Sequence, residues 1–173
     1  SESLKDIAVY YLWYLRGAMY NFRTMKYIKG KTHSFFNASK AMASRAVAEV
    51  MGVERPAEAN EPNELLVNYA KEKFEGRTPD RMFMFNPDAI AQWIDEKYPK
   101  LMREVPAVTD IAVPFQTVMP SVTPVCFGTM YTGAQPSVHG IQKYEKPVLT
   151  IETVFDCLIK AGKKPVIIAQ TNC

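Results

Sequence analysis

The stretch RMFMFNPDAIAQWIDEKY, residues 81–98, decides the fold. RMFMF is a short apolar run with Pro79 before it and Pro87 after it, which reads as a buried β-strand. The period then changes. Ile90, Trp93, Ile94 and Tyr98 share one face at helical spacing, and Pro99 closes the segment. A strand running into a helix is the opening of a βαβ unit and argues for a parallel sheet. Asp88 stands at the junction. It serves there as a cap for the helix, and it also stands where open α/β sheets gather ligands, beyond the carboxyl ends of strands.

Downstream the alternation continues. Residues 105–118 are rich in Val, Thr, Phe and Pro and read as a loop with a short strand. Residues 119–141, MPSVTPVCFGTMYTGAQPSVHGI, hold a helix from Thr123 to about Tyr131, stopped by Gly133 and Pro136. Thr150 caps a further helix whose Val154, Leu158 and Ile159 face a core, and Gly162 ends it. PVIIA, residues 165–169, then reads as a strand. The expected fold is α/β: a partial, doubly wound, mainly parallel sheet flanked by helices. So few strands leave an open sheet edge.

Upstream, residues 4–20 are apolar on most faces and read as a buried or partner-covered helix. Lys26, Lys29 and Lys31 surround Gly30 in a short basic loop that also holds His33. Asn37 or Ser39 caps a helix through Met42, Val47 and Val50 to a stop at Gly52. ERPAEANEPN, residues 54–63, is a loop or linker, and Asn63 caps a helix over residues 64–74 that ends at Gly76. Two regions follow: residues 1–78 as a helical N-terminal extension, and residues 79–173 as the α/β part.

The 173 residues allow one real core, and 47% are apolar, which suits a folded soluble chain. A net charge of +3 with no Lys/Arg cluster gives no nucleic-acid footprint. The N-terminal apolar run is broken by Arg16 and falls short of the ~20 residues that cross a bilayer, so no membrane partner is expected. Three cysteines, Cys126, Cys157 and Cys173, are odd in number and form no CxxC pair. They read as free thiols of a reducing, cytoplasmic compartment.

Thr123 precedes Pro124, which suits an N-cap followed by a first helical position. The plain reading is a helix cap. The chemical reading is a nucleophile at a helix start, where unpaired N–H groups and the dipole meet phosphoryl oxygens. A threonine hydroxyl needs a base or a metal ion for that role, and Asp88 is the best-placed ligand. Cys126 lies one turn further on and reads as a buried thiol, with a Cys126–His139 nucleophile pair as the alternative. His139, beside Gly140, orders a turn through hydrogen bonds.

NPDAI at 86–90, PSVTPVCFGTMYTG at 120–133 and PSVHGI at 136–141 together resemble the alkaline phosphatase superfamily, and within it the nucleotide pyrophosphatase/phosphodiesterase branch. The resemblance spans roughly residues 81–169. It implies Asp88 as the first metal ligand and Thr123 as nucleophile and metal ligand. Pro124 and Cys126 then stand beside the substrate, and His139 is the histidine of the HGI segment. It also implies two divalent metal ions, commonly zinc, and a phosphate-ester small molecule or nucleotide as substrate.

Two departures accompany it. Ala89 stands where the family usually has glycine, and Cys126 where the branch often has an asparagine that contacts phosphate. The family's remaining metal ligands are Asp and His residues from later in the domain, and neither type occurs after Cys157. The expectation is therefore the N-terminal part of a catalytic domain, with an incomplete two-metal site and a missing C-terminal half. The alternative is an inactive fragment or interaction module that self-associates as a homo-oligomer through its open sheet edge and apolar helix.

Overall fold

The structure, a computed structural model, describes residues 7–11, 42–61, 64–86, 94, 97–101, 103–104, 110 and 117–169. Its elements are β1 (Ile7–Tyr11), α1 (Met42–Val50), α2 (Glu64–Lys73), β2 (Arg81–Phe85), α3 (Thr123–Thr132), α4 (Pro136–His139) and α5 (Val154–Lys160). Strands and helices are thus combined in one fold. Among the described residues the sheet has two strands, β1 and β2, paired in parallel from Ile7↔Arg81 to Tyr11↔Phe85.

β1 corrects the expectation of a helix over residues 4–20. IAVYY is rich in β-branched and aromatic residues that suit a pleated surface. A five-residue apolar run does not separate strand from buried helix by period alone. The partner settles it: β2 offers its ladder, and β1 takes it.

β2 forms where RMFMF places it, but only one of its faces is covered. Met82 and Met84 pack on a cluster of Val47 and Ala48 from α1, Met51 just after it, and Val154 from α5. Phe83, on the other face, is 56% exposed, and Phe85 42%. The expectation of a fully buried strand is corrected to a half-buried one. Strand alternation sends successive side chains to opposite faces, and only one face meets helices.

α1 is the hub. It packs against α2, α3 and α5, so residues on both sides of position 78 share a core. Gly52 ends it at φ +63°, and a Cβ there would come within 2.5 Å of Thr78 Cγ2. The loop after α1 is held to α3: Asn60 donates both its backbone N–H and its Nδ2 to the Gly133 carbonyl, each at 2.9 Å. Arg45 of α1 meets Glu61 of the same loop at 2.7 Å.

Three local expectations shift. The cap of α5 is Thr153, not Thr150. Asp156 N–H donates to Thr153 Oγ1 at 3.3 Å while Thr153 N–H donates to Asp156 Oδ2 at 2.8 Å, a reciprocal box that T-x-x-D spacing supports. Ile159 of α5 is exposed rather than core-facing, whereas Val154 is buried and Leu158 half-buried. Pro136 opens α4 instead of ending α3.

Residues 165–169 correct a larger expectation. They form no strand, and Val166, Ile167 and Ile168 are exposed, the last at 92%. An apolar segment becomes a strand only when a ladder receives it. Ile94 and Lys97 are helical, as the spacing of residues 88–98 requires. Ile90 and Trp93 lie outside the described residues, as do Asn37, Ser39, Asn63 and the basic loop with His33. No helix among the described residues is long and apolar enough to cross a membrane.

Candidate functional site

The candidate site is built on α3. This helix is apolar around most of its circumference, and such a helix must be buried. Val125, Cys126, Gly128, Thr129, Met130 and Thr132 are all buried, with α1, α4 and α5 around them. Each polar group inside has a partner. Thr132 Oγ1 donates to the Gly128 carbonyl at 2.7 Å and accepts from Ala134 N–H at 3.1 Å. Gly133 ends the helix in the left-handed region at φ +74°, where a Cβ would meet Ser44 Oγ at 2.4 Å.

The start of α3 differs by one position from the sequence reading. Cys126 N–H donates to the Val122 carbonyl at 3.0 Å. Val122, in extended geometry at φ −120° and ψ 152°, is therefore the cap, Thr123 the first helical residue and Pro124 the second. No side chain caps this end. The Val122 N–H is already bonded to the Pro120 carbonyl at 2.8 Å, and Pro124 has none. The first-turn N–H groups without a backbone acceptor among the described residues are those of Thr123 and Val125. Thr123 is half-buried, and Pro124 is buried against the core.

Cys126 is fully buried, in a cluster with Val118, Val125 and Ile141. Its Sγ lies 3.0 Å from Thr117 Oγ1. His139 has other partners, so the Cys126–His139 pair does not form. Ile141 N–H donates to His139 Nδ1 at 3.2 Å, which places the ring proton on Nε2, and Nε2 lies 2.9 Å from Thr129 Oγ1. The imidazole thus ties α4 and the turn after it to the middle of α3. Burial holds its pKa below the ordinary imidazole value. The ring sits so close to α3 that a Cβ at Gly128 would approach its Cε1 to 2.7 Å.

Asp88 lies outside the described residues. Asn86, the first residue after β2, is half-buried, and its Oδ1 is buried with no hydrogen-bond partner among the described residues. Among the described residues no three His, Cys, Asp or Glu side chains gather at one point. Of the thiols, Cys126 and Cys157 are free and buried. Burial, reinforced by the nearby Glu152, pushes Cys157 up to about 11.

Sequence reasoning missed Asn86 and Thr129. A polar residue directly after a strand was the available signal for Asn86. Nothing local marks Thr129, whose partner lies ten positions away. Compared with known protein families, curated proteins and solved structures, the chain has no match.

Proposed function

We propose that this chain is the N-terminal part of a metal-dependent phosphoester hydrolase domain of doubly wound α/β type, with Thr123 as nucleophile. One observation carries the reading: Thr123 stands half-buried at the first position of a buried helix, in a turn where its own N–H and that of Val125 have no backbone acceptor among the described residues. A phosphoryl oxygen is the ligand such an end suits. The resemblance of residues 86–90, 120–133 and 136–141 to the alkaline phosphatase superfamily supports the same role for this threonine.

Thr123 Oγ1 attacks phosphorus in line. The Thr123 hydroxyl gives up its proton as the Oγ1–P bond forms, the P–O bond to the leaving group breaks, and that proton ends on the leaving oxygen. Water then attacks the phosphorylated Thr123, the P–Oγ1 bond breaks, and a water proton restores the hydroxyl. A divalent ion, when bound, favours the alkoxide and offsets phosphoryl charge. Asp88 and Thr123 are the oxygen donors that would hold it. A second ion, as in the two-zinc sites the resemblance implies, has no donor cluster among the described residues. The substrate is a phosphomonoester or phosphodiester, small molecule or nucleotide, in the cytoplasm.

A second reading has its own observation. Exposed Val166, Ile167 and Ile168, with exposed Phe83 and Phe85, suit a fragment that self-associates without catalysis.

The test compares hydrolysis of p-nitrophenyl phosphate and bis-p-nitrophenyl phosphate by the 173-residue chain and by the product of its reading frame continued past Cys173. The chain alone should hydrolyse both barely above background and hold less than one tightly bound zinc. The longer product should show chelator-sensitive turnover that Thr123→Ala abolishes. Turnover surviving Thr123→Ala removes the nucleophile. Robust turnover by the chain alone removes the incompleteness. A stop codon directly after Cys173 favours the second reading.

A further inference from the structure

Two observations meet in PVIIA, residues 165–169, which follow α5. Val166, Ile167 and Ile168 are 78%, 59% and 92% exposed. The last backbone hydrogen bond before them runs from Lys163 N–H to the Leu158 carbonyl, and no backbone group of residues 164–169 has a partner among the described residues. Consecutive β-branched residues with unpaired amides are a template for a further strand. A helix or a lipid surface would cover the side chains and leave the amides as they are; a ladder meets both needs. The chain's own sheet does not supply that ladder. β2 pairs with β1, and residues 165–169 join neither.

We propose that residues 165–169 pair antiparallel with the same residues of a second copy, about a two-fold axis at Ile167. The inference rests on the self-association reading and gives it a segment, a direction and a register. Lys163 and Lys164 precede the segment, and no acidic residue occurs after Asp156. A parallel pairing sets these lysines beside their copies, whereas an antiparallel one sends them to opposite ends of the ladder. Two-fold symmetry requires one residue to face its own copy. With Ile167 in that place, all of PVIIA is matched: Pro165 opposite Ala169, and Val166 opposite Ile168. Pro165 has no N–H and needs a site outside the hydrogen-bonded pairs. Alternation then leaves Ile167 and Ala169 outside them too and makes Val166 and Ile168 the hydrogen-bonded pairs. These are the two most exposed of the three aliphatic residues, and they gather with their copies on one face. Pro165 turns to the outer edge, where its missing donor blunts addition of a third strand. The pairing therefore closes at the dimer, and a ribbon this short makes that dimer a weak one.

The test uses the full chain carrying Cys173→Ser, whose remaining native thiols are the buried Cys126 and Cys157. Val166→Cys, Ile167→Cys and Ile168→Cys are added singly and treated with oxidised glutathione under native conditions. Facing residues at a non-hydrogen-bonded site stand ~4.5 Å apart between Cα atoms, within disulfide reach. Ile167→Cys should therefore yield a covalent dimer. Val166→Cys alone should not, since two residues of strand place it beyond about 7 Å from its copy. Mixed with Ile168→Cys, it should. The parent chain, sedimented at concentrations up to about 1 mM to cover weak complexes, should shift from monomer to dimer and stop there. Ile168→Lys should lose the shift. All three sites are exposed, so each variant should melt with the parent.

A parent chain that stays monomeric throughout overturns the proposal and the self-association reading together. A dimer without the Ile167→Cys cross-link overturns the proposal alone. So does equal cross-linking by Val166→Cys and Ile167→Cys on their own, the mark of random collision. Growth past the dimer also overturns it, because insertion into a neighbour's β2 edge joins copies head to tail in that way. Thr123→Ala, read by phosphoester turnover in the longer product, tests the hydrolase reading separately.

Discussion

His139 Nε2 and Thr129 Oγ1 lie 2.9 Å apart inside the protein, and with Ile141 N–H on Nδ1 the imidazole is bonded at both nitrogens. It is a brace between α4 and α3. A neutral ring meets this geometry; a doubly protonated ring loses the Nδ1 acceptor and leaves Ile141 N–H without a partner.

A pH dependence follows from that brace. The folded-state pKa of His139 is depressed by burial, so the unfolded chain binds its proton first. Stability is complete above the unfolded value of about 6.5 and declines as pH falls from there toward the folded value. Urea unfolding between pH 8 and pH 5 should show this slope, and His139→Gln should flatten it. An identical slope in the variant rejects the assignment.

Gly128→Ala should destabilise by about 1–3 kcal/mol, the usual cost of overpacking. The new Cβ meets the His139 ring at 2.7 Å on Cε1 and 2.9 Å on Nδ1. The same change in a His139→Ala background should cost less, because the colliding ring has gone. A double-mutant cycle with zero coupling contradicts the contact.

Thr153→Ala should cost about 1 kcal/mol through loss of the capping box of α5. Thr150→Ala, at the position the sequence pattern favoured, should lie within about 0.5 kcal/mol of the parent. Equal effects at the two positions would show that the cap is misplaced.

Cys157 should resist a thiol reagent in the folded protein at pH 7.5. Its pKa of about 11 and its burial leave almost no accessible thiolate. Labelling mapped by mass spectrometry should find it modified only after unfolding in urea. Rapid modification of the native chain would contradict its placement.

Ile168→Lys should leave monomer stability within about 0.5 kcal/mol, since the side chain is 92% exposed. Under the self-association reading it should also shift the sedimentation profile toward the monomer. An unchanged oligomer distribution counts against that reading.

What the sequence disclosed was local. RMFMF announced β2, Thr123 with Pro124 announced the start of α3, and Gly52 and Gly133 announced the stops of α1 and α3, because turn chemistry and period act over a few residues. β1 was misread because five apolar residues inside a longer apolar run suit helix and strand alike. Residues 165–169 were misread for the converse reason: strand propensity is realised only against a partner, and propensity contains no information about one. The half-burial of β2, the Thr129–His139 brace and the partnerless Asn86 oxygen depend on what tertiary packing brings near, or fails to bring. Thr123 was legible as the head of a helix. The one-residue shift in its cap was not, since either Val122 or Thr123 fits extended geometry before Pro124.

The pairing of Ile7 with Arg81 joins points roughly seventy residues apart. Contacts of that span are late and slow, because the intervening chain loses its freedom before the ladder rewards it. During synthesis, the first strand leaves the ribosome long before its mate exists. The apolar run IAVYY is therefore without its ladder until RMFMF has been made, and that interval is when a chaperone or a neighbouring nascent chain would find it.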